Sequence, residues 1–181
     1  MNKPIKPKKC KICREVFTPF RPLQVCCSHG CAIEYAQKNR QAKERKEYRE
    51  AKEKQKNLTD WLNDAQKWCN RYIVLRDGKK CITCGTTNPG IQYCAGHYRT
   101  RGSASHLRFN EDNIHTQCNA NCNMYKSGNI SKYRPALIDK IGIERVEALE
   151  NNNEAKKWTI DEAKEVIAYF KKKIKDLKHG S

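Results

Sequence analysis

Cysteine pairs are the residues of this sequence whose types and spacing most clearly predict chemistry. Eight of the eleven cysteines are separated from a partner by two or three residues, which is the ligand spacing of zinc sites. A tetrahedral zinc ion takes four such ligands from two turns of the chain. Two four-cysteine sites are therefore predicted. The ligands are Cys81, Cys84, Cys118 and Cys122 for a structural zinc, and Cys10, Cys13, Cys27 and Cys31 for a second zinc.

The N-terminal site has rival ligands. Cys26 and His29 lie beside Cys27 in the sequence, and either is an alternative third ligand. Cys69 falls in an apolar helical stripe and is predicted to be buried packing. The N-terminus is basic but has no apolar signal segment, so a reducing cytosol is expected. Zinc binding is therefore favoured over a disulfide framework.

Residues 85–117, between the two C-terminal pairs, form a longer loop than a zinc finger requires. It contains His97 in a short polar stretch, and an imidazole with a near-neutral pKa can take a proton from water. Asn113 lies further along, and Asn123 directly follows the last cysteine. His115 should project to the same side of a strand as Asn113. His115 has two interpretations, and the sequence favours neither. One is a metal ligand or second catalytic histidine, and the other is a hydrogen-bonded core residue or a brace to the zinc end.

The net charge of +17 predicts a polyanionic partner, and nucleic acid is the usual one. A membrane partner is not expected, because the sequence has neither a long apolar run nor a basic helix with an apolar face. Basic residues in and after the candidate catalytic loop are predicted to neutralise phosphates. They are Arg99, Arg101, Arg108 and Lys126, with Lys132 beyond them.

A ββα unit is predicted to carry the candidate catalytic residues. Short β-segments are expected around Gln92–Tyr98 and Asn113–Gln117, with a helix starting near Cys118. Residues 58–76 before this unit have apolar side chains at helical spacing. They predict a core-facing helix with Asn57 as its cap.

Two further regions read as helical. Residues 32–57 interleave Lys and Arg with Glu and contain no apolar stripe. A solvated spacer is favoured there, with contact to phosphates as the alternative. In the C-terminal region, Pro135 suits a first helical turn. The helices predicted there are 135–141, 143–150 and a last helix that follows a capping box of Thr159 and Glu162. The apolar stripe of this last helix is predicted to pack on the preceding module or to build a dimer.

The fold class predicted from these patterns is α+β, built from small zinc-stabilised modules, because only 38% of the residues are hydrophobic. The predicted domains are an N-terminal zinc finger at 1–31, a charged helical linker at 32–57, a zinc-bound core with its preceding helix at 58–132, and a C-terminal helical region at 133–181.

The central residues resemble a known group of enzymes. The order Cys-x2-Cys, His97, Asn113, Cys118-x3-Cys122-Asn123 resembles the HNH, or ββα-metal, endonucleases. Longer strings resemble the lambdoid-phage NinG (Rap) family, and so does the helix that ends in Arg71–Asp77. These strings are Gly96-His97-Tyr98, Arg101-Gly102, Leu107-Arg108-Phe109, Asn113-Ile114-His115, Gln117-Cys118, Cys122-Asn123 and Ser127-Gly128-Asn129.

The resemblance implies an HNH-like core in a structure-specific DNA endonuclease of phage homologous recombination. Its substrates would be branched DNA, namely Holliday junctions and D-loops, and hydrolysis would need Mg2+ or Mn2+. In these families His97 would be the general base, and Asn113 would brace its loop. Asn123 would hold the catalytic metal. An acid often precedes the base, but here Gly96 stands there. His115 is therefore the candidate extra metal ligand or second catalytic histidine, with His106 behind it and Glu111 and Asp112 as further options.

The resemblance also implies the cytoplasm of a bacterial host cell as the location. A C2 homodimer is expected, because a junction offers two strands to cut symmetrically. Recombination proteins of the phage or host are further candidate partners.

Two other functions compete with this one. The first is a non-catalytic zinc-finger protein that binds DNA, for example a phage regulator. The second and weaker one is an RNA-binding zinc protein, although no feature points to readout of splayed bases. A plain binding protein has no need for His97, Asn113 and Asn123 together, so these residues favour the enzyme.

Overall fold

Two compact units make up the protein, and the computed structural model describes residues 5–179. The units are Met1–Lys56 and Asn57–Ser181. The first residues of the predicted finger, 1–4, and the last of the C-terminal region, 180–181, lie outside the described residues. In the part that is described, no helix has the length and apolar character needed to cross a membrane. Strands and helices occur together, so the α+β class is confirmed.

The first unit is a small cysteine-rich hairpin followed by a long helix. Strands β1 (Lys8–Lys9) and β2 (Val16–Phe17) are antiparallel. Helix α1 spans His29–Lys54 and has no buried residue, as a polar sequence without an apolar stripe requires. It begins earlier than the predicted 32–57 helix because the Ser28 side chain caps it, accepting a hydrogen bond of 3.2 Å from the Cys31 N–H.

The second unit is organised around two helices that pack side by side and run parallel, since Trp61 contacts Lys164 and Tyr72 contacts Lys173. Helix α2 spans Leu58–Asp77, and helix α5 spans Ile160–His179. The predicted caps are confirmed. The Asn57 side chain accepts from the Asp60 N–H at 3.0 Å. Thr159 and Glu162 form the reciprocal capping box that starts α5.

The two strands of this unit form an antiparallel pair. Strand β3 spans Tyr93–His97 and strand β4 spans Ile114–Cys118, with Gly96 opposite His115. A π-helix, Asn119–Tyr125, follows β4 and packs against both strands. Single 3-10 turns at Ser105–Leu107 and Glu111–Asn113 lie in the connection between the strands.

Helices α3 (Ile130–Ile141) and α4 (Ile143–Asn151) form a pair beside the strands. The prediction that the first of them begins at Pro135 is wrong. The helix starts five residues earlier because Tyr133 is fully buried and its hydroxyl donates to the Gly96 carbonyl at 3.0 Å. This tertiary contact overrides the preference of a pre-proline residue for extended backbone.

Two apolar clusters replace a single large core. The apolar stripe of α2 meets that of α5, and Cys69 is fully buried between them, as predicted. A second cluster joins the loop after β3 to α3 and α4 around Tyr98, Tyr133 and Leu137. Full burial of each large apolar side chain contributes about 1.5–3 kcal/mol. The apolar stripe of α5 therefore packs against α2 of the same chain.

Candidate functional site

The four cysteines predicted to hold a structural zinc do come together. The sulfur atoms of Cys81, Cys84, Cys118 and Cys122 all lie within 4.8 Å of one another. The Cys84 and Cys118 sulfurs are 3.8 Å apart. Tetrahedral zinc with bonds of about 2.3 Å places its sulfur ligands about 3.8 Å apart. The cluster therefore has the dimensions that a zinc ion requires.

Tight turns and backbone N–H groups position the four cysteines of this cluster. Gly85 adopts a φ of 72°, and its N–H closes the turn onto the Cys81 carbonyl at 2.9 Å. The Cys122 N–H points at the Cys118 sulfur at 3.4 Å. Burial raises the pKa of the Cys81 thiol, but hydrogen bonds from Thr83 and from backbone N–H groups outweigh burial and lower it to about 6. One ligand is therefore readily ionised for metal binding.

The second tetrad decides between the rival ligands of the N-terminal unit. The sulfurs of Cys10, Cys13, Cys27 and Cys31 lie within 4.8 Å of one another. Cys27 is 3.5 Å from Cys13 and 3.8 Å from Cys31. Among the described residues, neither Cys26 nor His29 joins a cluster of this kind. Zinc can therefore be held by the predicted set, with Cys27 as the third ligand.

His97 ends strand β3 and is half-buried. Its Nε2 lies 3.0 Å from the backbone carbonyl oxygen of Arg108. A carbonyl can only accept, so Nε2 is the protonated nitrogen and Nδ1 carries the lone pair. Burial lowers the pKa of His97, and the positive charges of Arg101 and Arg108 lower it further. The imidazole is therefore neutral at neutral pH, with one nitrogen able to take a proton.

Asn113 is fully buried. Its side chain connects two parts of the loop that follows His97. Its amide nitrogen donates to the carbonyls of Arg99 at 3.0 Å and Leu107 at 3.2 Å. Its amide oxygen accepts from the Arg99 N–H at 2.8 Å. All three bonds would be lost in an apolar replacement. These are the contacts that a bracing residue needs, and the bracing role itself remains a prediction.

Asn123 lies in the π-helix and is half-buried. Its backbone carbonyl accepts from the Gly128 N–H at 3.0 Å. Within residues 5–179, its side-chain amide has no hydrogen-bond partner. The amide oxygen thus stays available, as a metal or phosphate contact would require.

His115 has a different environment, and it is only 2% exposed. Its Nε2 lies 3.1 Å from the Asp112 carbonyl, and its Nδ1 lies 2.9 Å from Nη2 of Arg76 and 3.2 Å from a carboxylate oxygen of Asp77. Burial lowers its pKa. Both ring nitrogens are engaged, so this position leaves none for a metal ion. Of the two interpretations of His115, the geometry fits the hydrogen-bonded core residue.

Gly96 fits its position because of Gln117. A Cβ atom at Gly96 would lie 2.0 Å from Oε1 of Gln117 and 2.7 Å from its Cδ. Gln117 is itself fixed, since its Nε2 donates to the Gly128 carbonyl at 2.8 Å and to Thr83 Oγ1 at 3.3 Å. The Oε1 atom is buried without a hydrogen-bond partner. An acid before the base would therefore not fit this arrangement.

The four predicted DNA-contacting residues divide into two groups. Arg99 donates to the carbonyls of Leu149, Glu150 and Asn152, and so caps the end of α4. Arg108 donates to Gln66 Oε1 and the Leu62 carbonyl of α2, each at 3.2 Å. Phosphate contacts do not fit these two guanidinium groups, because both are committed inside the fold. The exposed cations of the predicted set are Arg101 and Lys126.

Asp77 is a site residue that the sequence pattern did not single out. Its buried carboxylate accepts from Arg76 Nε at 2.9 Å, Lys140 Nζ at 2.8 Å and the Thr116 N–H at 3.1 Å. Burial alone raises the pKa of this carboxyl, but His115, Arg76 and Lys140 bring it below the usual range. In the sequence it reads only as the end of a helix before a glycine, since three of its partners, His115, Thr116 and Lys140, lie far along the chain.

These features define a small α+β protein with two tetracysteine clusters. Residues 97–113, which we call the histidine loop, connect the two strands next to one of these clusters. The chain belongs to the NinG family. Residues 1–180 match the family model described as "Bacteriophage Lambda NinG protein".

Curated relatives match along nearly their whole length. Protein ninG of Escherichia phage lambda is 39% identical over 202 residues, covering 99% of this chain and 97% of that protein. Protein ninG of Escherichia phage 933W is also 39% identical, with 99% and 98% covered. Protein ninG of Salmonella phage P22 is 37% identical over 193 residues, with 94% of each chain covered. No solved structure matches.

Proposed function

We propose that this member of the NinG family is a structure-specific DNA endonuclease of the HNH type. It would cleave branched DNA, such as Holliday junctions and D-loops, during phage homologous recombination. The proposal joins the resemblance of the central residues to the described geometry of the histidine loop. The zinc clusters supply the framework in this proposal and take no part in the hydrolysis.

The observation that carries the proposal is the fixed tautomer of His97. The Arg108 carbonyl occupies Nε2, so the lone pair on Nδ1 is the one that can act as a base. Burial and two nearby arginines keep the imidazole neutral. A non-catalytic zinc protein has no need for a braced, uncharged histidine in a loop held by Asn113.

The chemical step follows from this arrangement. The imidazole takes a proton from a water molecule, and the water oxygen bonds to phosphorus. One phosphorus–oxygen ester bond of the DNA then breaks, and the leaving oxygen takes a proton from solvent. General-base help of this kind is worth about 10²–10⁴-fold in rate.

A hard cation such as Mg2+ or Mn2+ would offset charge on the phosphate in this reaction. The predicted ligands are Asn123 and His115, and only Asn123 has an unengaged side chain. Among the described residues, the clusters of His, Cys, Asp or Glu that could hold a metal are the two cysteine tetrads. Asn123 is therefore the predicted ligand that would hold such an ion, with water and phosphate oxygens completing its coordination.

The direct test is cleavage of a labelled four-way junction beside a linear duplex of the same sequence. Reactions contain Mg2+, Mn2+ or no divalent ion, and products are read on denaturing gels. We expect the junction to be nicked faster than the duplex in the presence of a divalent ion. For His97→Ala we expect about a 10²–10⁴-fold loss of rate with junction binding retained.

Matched variants separate the competing functions. His106→Ala removes a second histidine of the same loop, whose Nε2 contacts the Asn152 carbonyl at 3.0 Å, and it should cleave far better than His97→Ala. Equal cleavage of junction and duplex would overturn the branched-DNA assignment. Tight binding without cleavage, by a wild type with intact zinc, would favour the DNA-binding regulator.

A further inference from the structure

Helix α1 (His29–Lys54) is an exposed element to which the proposed reaction gives no role. It contains 26 residues, and none of them is buried. At a rise of 1.5 Å per residue, its length is about 39 Å. A helix of this kind has no apolar face for a protein core or a membrane surface. Its charged side chains are therefore the groups that could bind a partner.

One side of α1 is neutralised by its own ion pairs. Arg40 lies 2.8 Å from Glu44, Lys43 lies 3.8 Å from Glu47, and Lys46 lies 3.8 Å from Glu50. Each pair joins residues four positions apart. The three glutamates thus have a cation beside them on the same side of the helix, and these pairs have no net charge.

The other side of α1 carries cations without such partners. Arg45, Arg49 and Lys52 are spaced i, i+4 and i+7, so they fall within about 60° around the helix axis. Among the described residues, none of the three forms an ion pair, and the Arg49 Nε donates only to the Arg45 carbonyl at 3.3 Å. Tyr48 lies beside them and is 69% exposed. We call Arg45, Arg49 and Lys52 the basic row.

We propose that the basic row binds the phosphate backbone of DNA, as a contact surface separate from the histidine loop. The row is about 10 Å long, since Lys52 lies seven steps of 1.5 Å along the helix from Arg45. Phosphates of one DNA strand follow one another every 3.4 Å or so along the duplex axis, so about three phosphates match three cations. The proposal rests on the proposed function only in taking DNA as the polyanion.

Charge arrangement favours DNA over the other possible occupants. A membrane-binding helix needs an apolar side that enters the lipid, and α1 has none. Backbone contacts are made by guanidinium and ammonium groups without regard to sequence. Such contacts suit a protein that recognises the shape of branched DNA.

The test compares two triple variants that lose the same charge. The first is Arg45→Gln, Arg49→Gln and Lys52→Gln. The matched control is Arg40→Gln, Lys43→Gln and Lys46→Gln, which removes the cations of the ion pairs. Binding of a fluorescent four-way junction is followed by anisotropy over a series of salt concentrations, without divalent ions, and circular dichroism checks the helix content.

We expect the basic-row variant to reduce the slope of log K against log salt by about 2.7, at 0.9 for each of three phosphates. Its affinity at 0.1 M salt should fall on the order of 10²-fold. The control variant should keep the wild-type slope. A third variant, Arg45→Lys with Arg49→Lys, keeps the charges and should also keep the slope.

Several outcomes would overturn the inference. They are an unchanged slope in the basic-row variant, an equal loss in both triple variants, and a wild type that does not bind DNA. If circular dichroism shows that the basic-row variant has lost helix, the lysine variant decides, because a reduced slope there contradicts a simple charge contact. Cleavage is measured separately, so a wild type that binds through the row but never cuts DNA contradicts the proposed function and leaves this inference standing.

Discussion

At the scale of single residues, His97 shows how burial and hydrogen bonding prepare a group for chemistry. The Arg108 carbonyl determines which ring nitrogen carries the proton. Arg108 is itself held by Gln66 and Leu62 of α2. Arg108, which the sequence predicted to contact DNA, thus connects the histidine loop to helix α2.

The pH dependence of cleavage should report His97. Its pKa is lowered, mainly by burial, and the neutral form is the base. Single-turnover cleavage should therefore be constant above the usual histidine value of about 6.5 and fall about tenfold per pH unit below a midpoint that lies under 6.5. Rate constants measured between pH 5 and 8 check this. A midpoint above 6.5, or an identical profile in His97→Ala, would contradict the assignment.

Gly96 offers a second test at this scale. In Gly96→Ala the new Cβ would overlap the Gln117 side chain, and overpacking of this kind costs about 1–3 kcal/mol of unfolding free energy. Gly102→Ala is the control, because its nearest neighbour would lie 3.9 Å away. Urea unfolding measures both variants. Adding Gln117→Ala should relieve part of the loss at Gly96, and strictly additive effects would show that the two side chains do not compete for this space.

At the scale of elements, the strand pair of the second unit contacts both helix α2 and a cysteine tetrad that could hold zinc. The tetrad of the second unit joins the turn at Cys81 and Cys84 to Cys118 at the end of β4 and Cys122 in the π-helix. Apolar packing of α2 against α5 supports the strands from the other direction. The strand pair is short, so its stability depends on these neighbouring elements.

Zinc content should separate the two clusters. Wild type is expected to contain about two ions per chain, and Cys13→Ser and Cys84→Ser about one each. Both of these cysteines are exposed, so the substitutions disturb packing little. Cleavage should survive in Cys13→Ser and be lost in Cys84→Ser, where the framework of the histidine loop is affected. Elemental analysis and the junction assay measure these effects.

Cys94→Ser is the control for the zinc experiment, because Cys94 belongs to neither tetrad. It should keep about two ions per chain, as wild type does. One ion in the wild type, or full cleavage by Cys84→Ser, would contradict the division of roles.

At the scale of the whole molecule, high positive charge and small cores belong together. The chain carries a net charge of +17, with only 38% hydrophobic residues. Two modest apolar clusters and two cysteine tetrads that could hold zinc are distributed over the described part of the chain. The apolar stripe of α5, one of the surfaces considered for dimerisation, is covered by α2.

Two chains are expected on each four-way junction, because its symmetry presents two strands to be cut. Sedimentation of the protein with a saturating amount of junction should show a protein mass twice the 21.1 kDa of one chain. A linear duplex is the control, since it lacks this symmetry. A single chain on the junction, with both strands still cut, would contradict the dimer.

The sequence by itself determined the features that depend on local spacing. Cysteine spacing predicted both tetrads, and helical periodicity predicted α2 and α5 with their caps. These signals are short-range, because knuckles, caps and apolar stripes form among residues close in the chain.

Only the tertiary structure decided what long-range contacts do to individual side chains. It placed Arg99 at the end of α4 and buried His115 beside Asp77. It also filled the space above Gly96 with Gln117 and started α3 before Pro135. The partners in these contacts are distant in the sequence, with Arg99 and Leu149 separated by 50 positions. Neither residue type nor spacing encodes which of them meet, since that depends on how the whole unit packs.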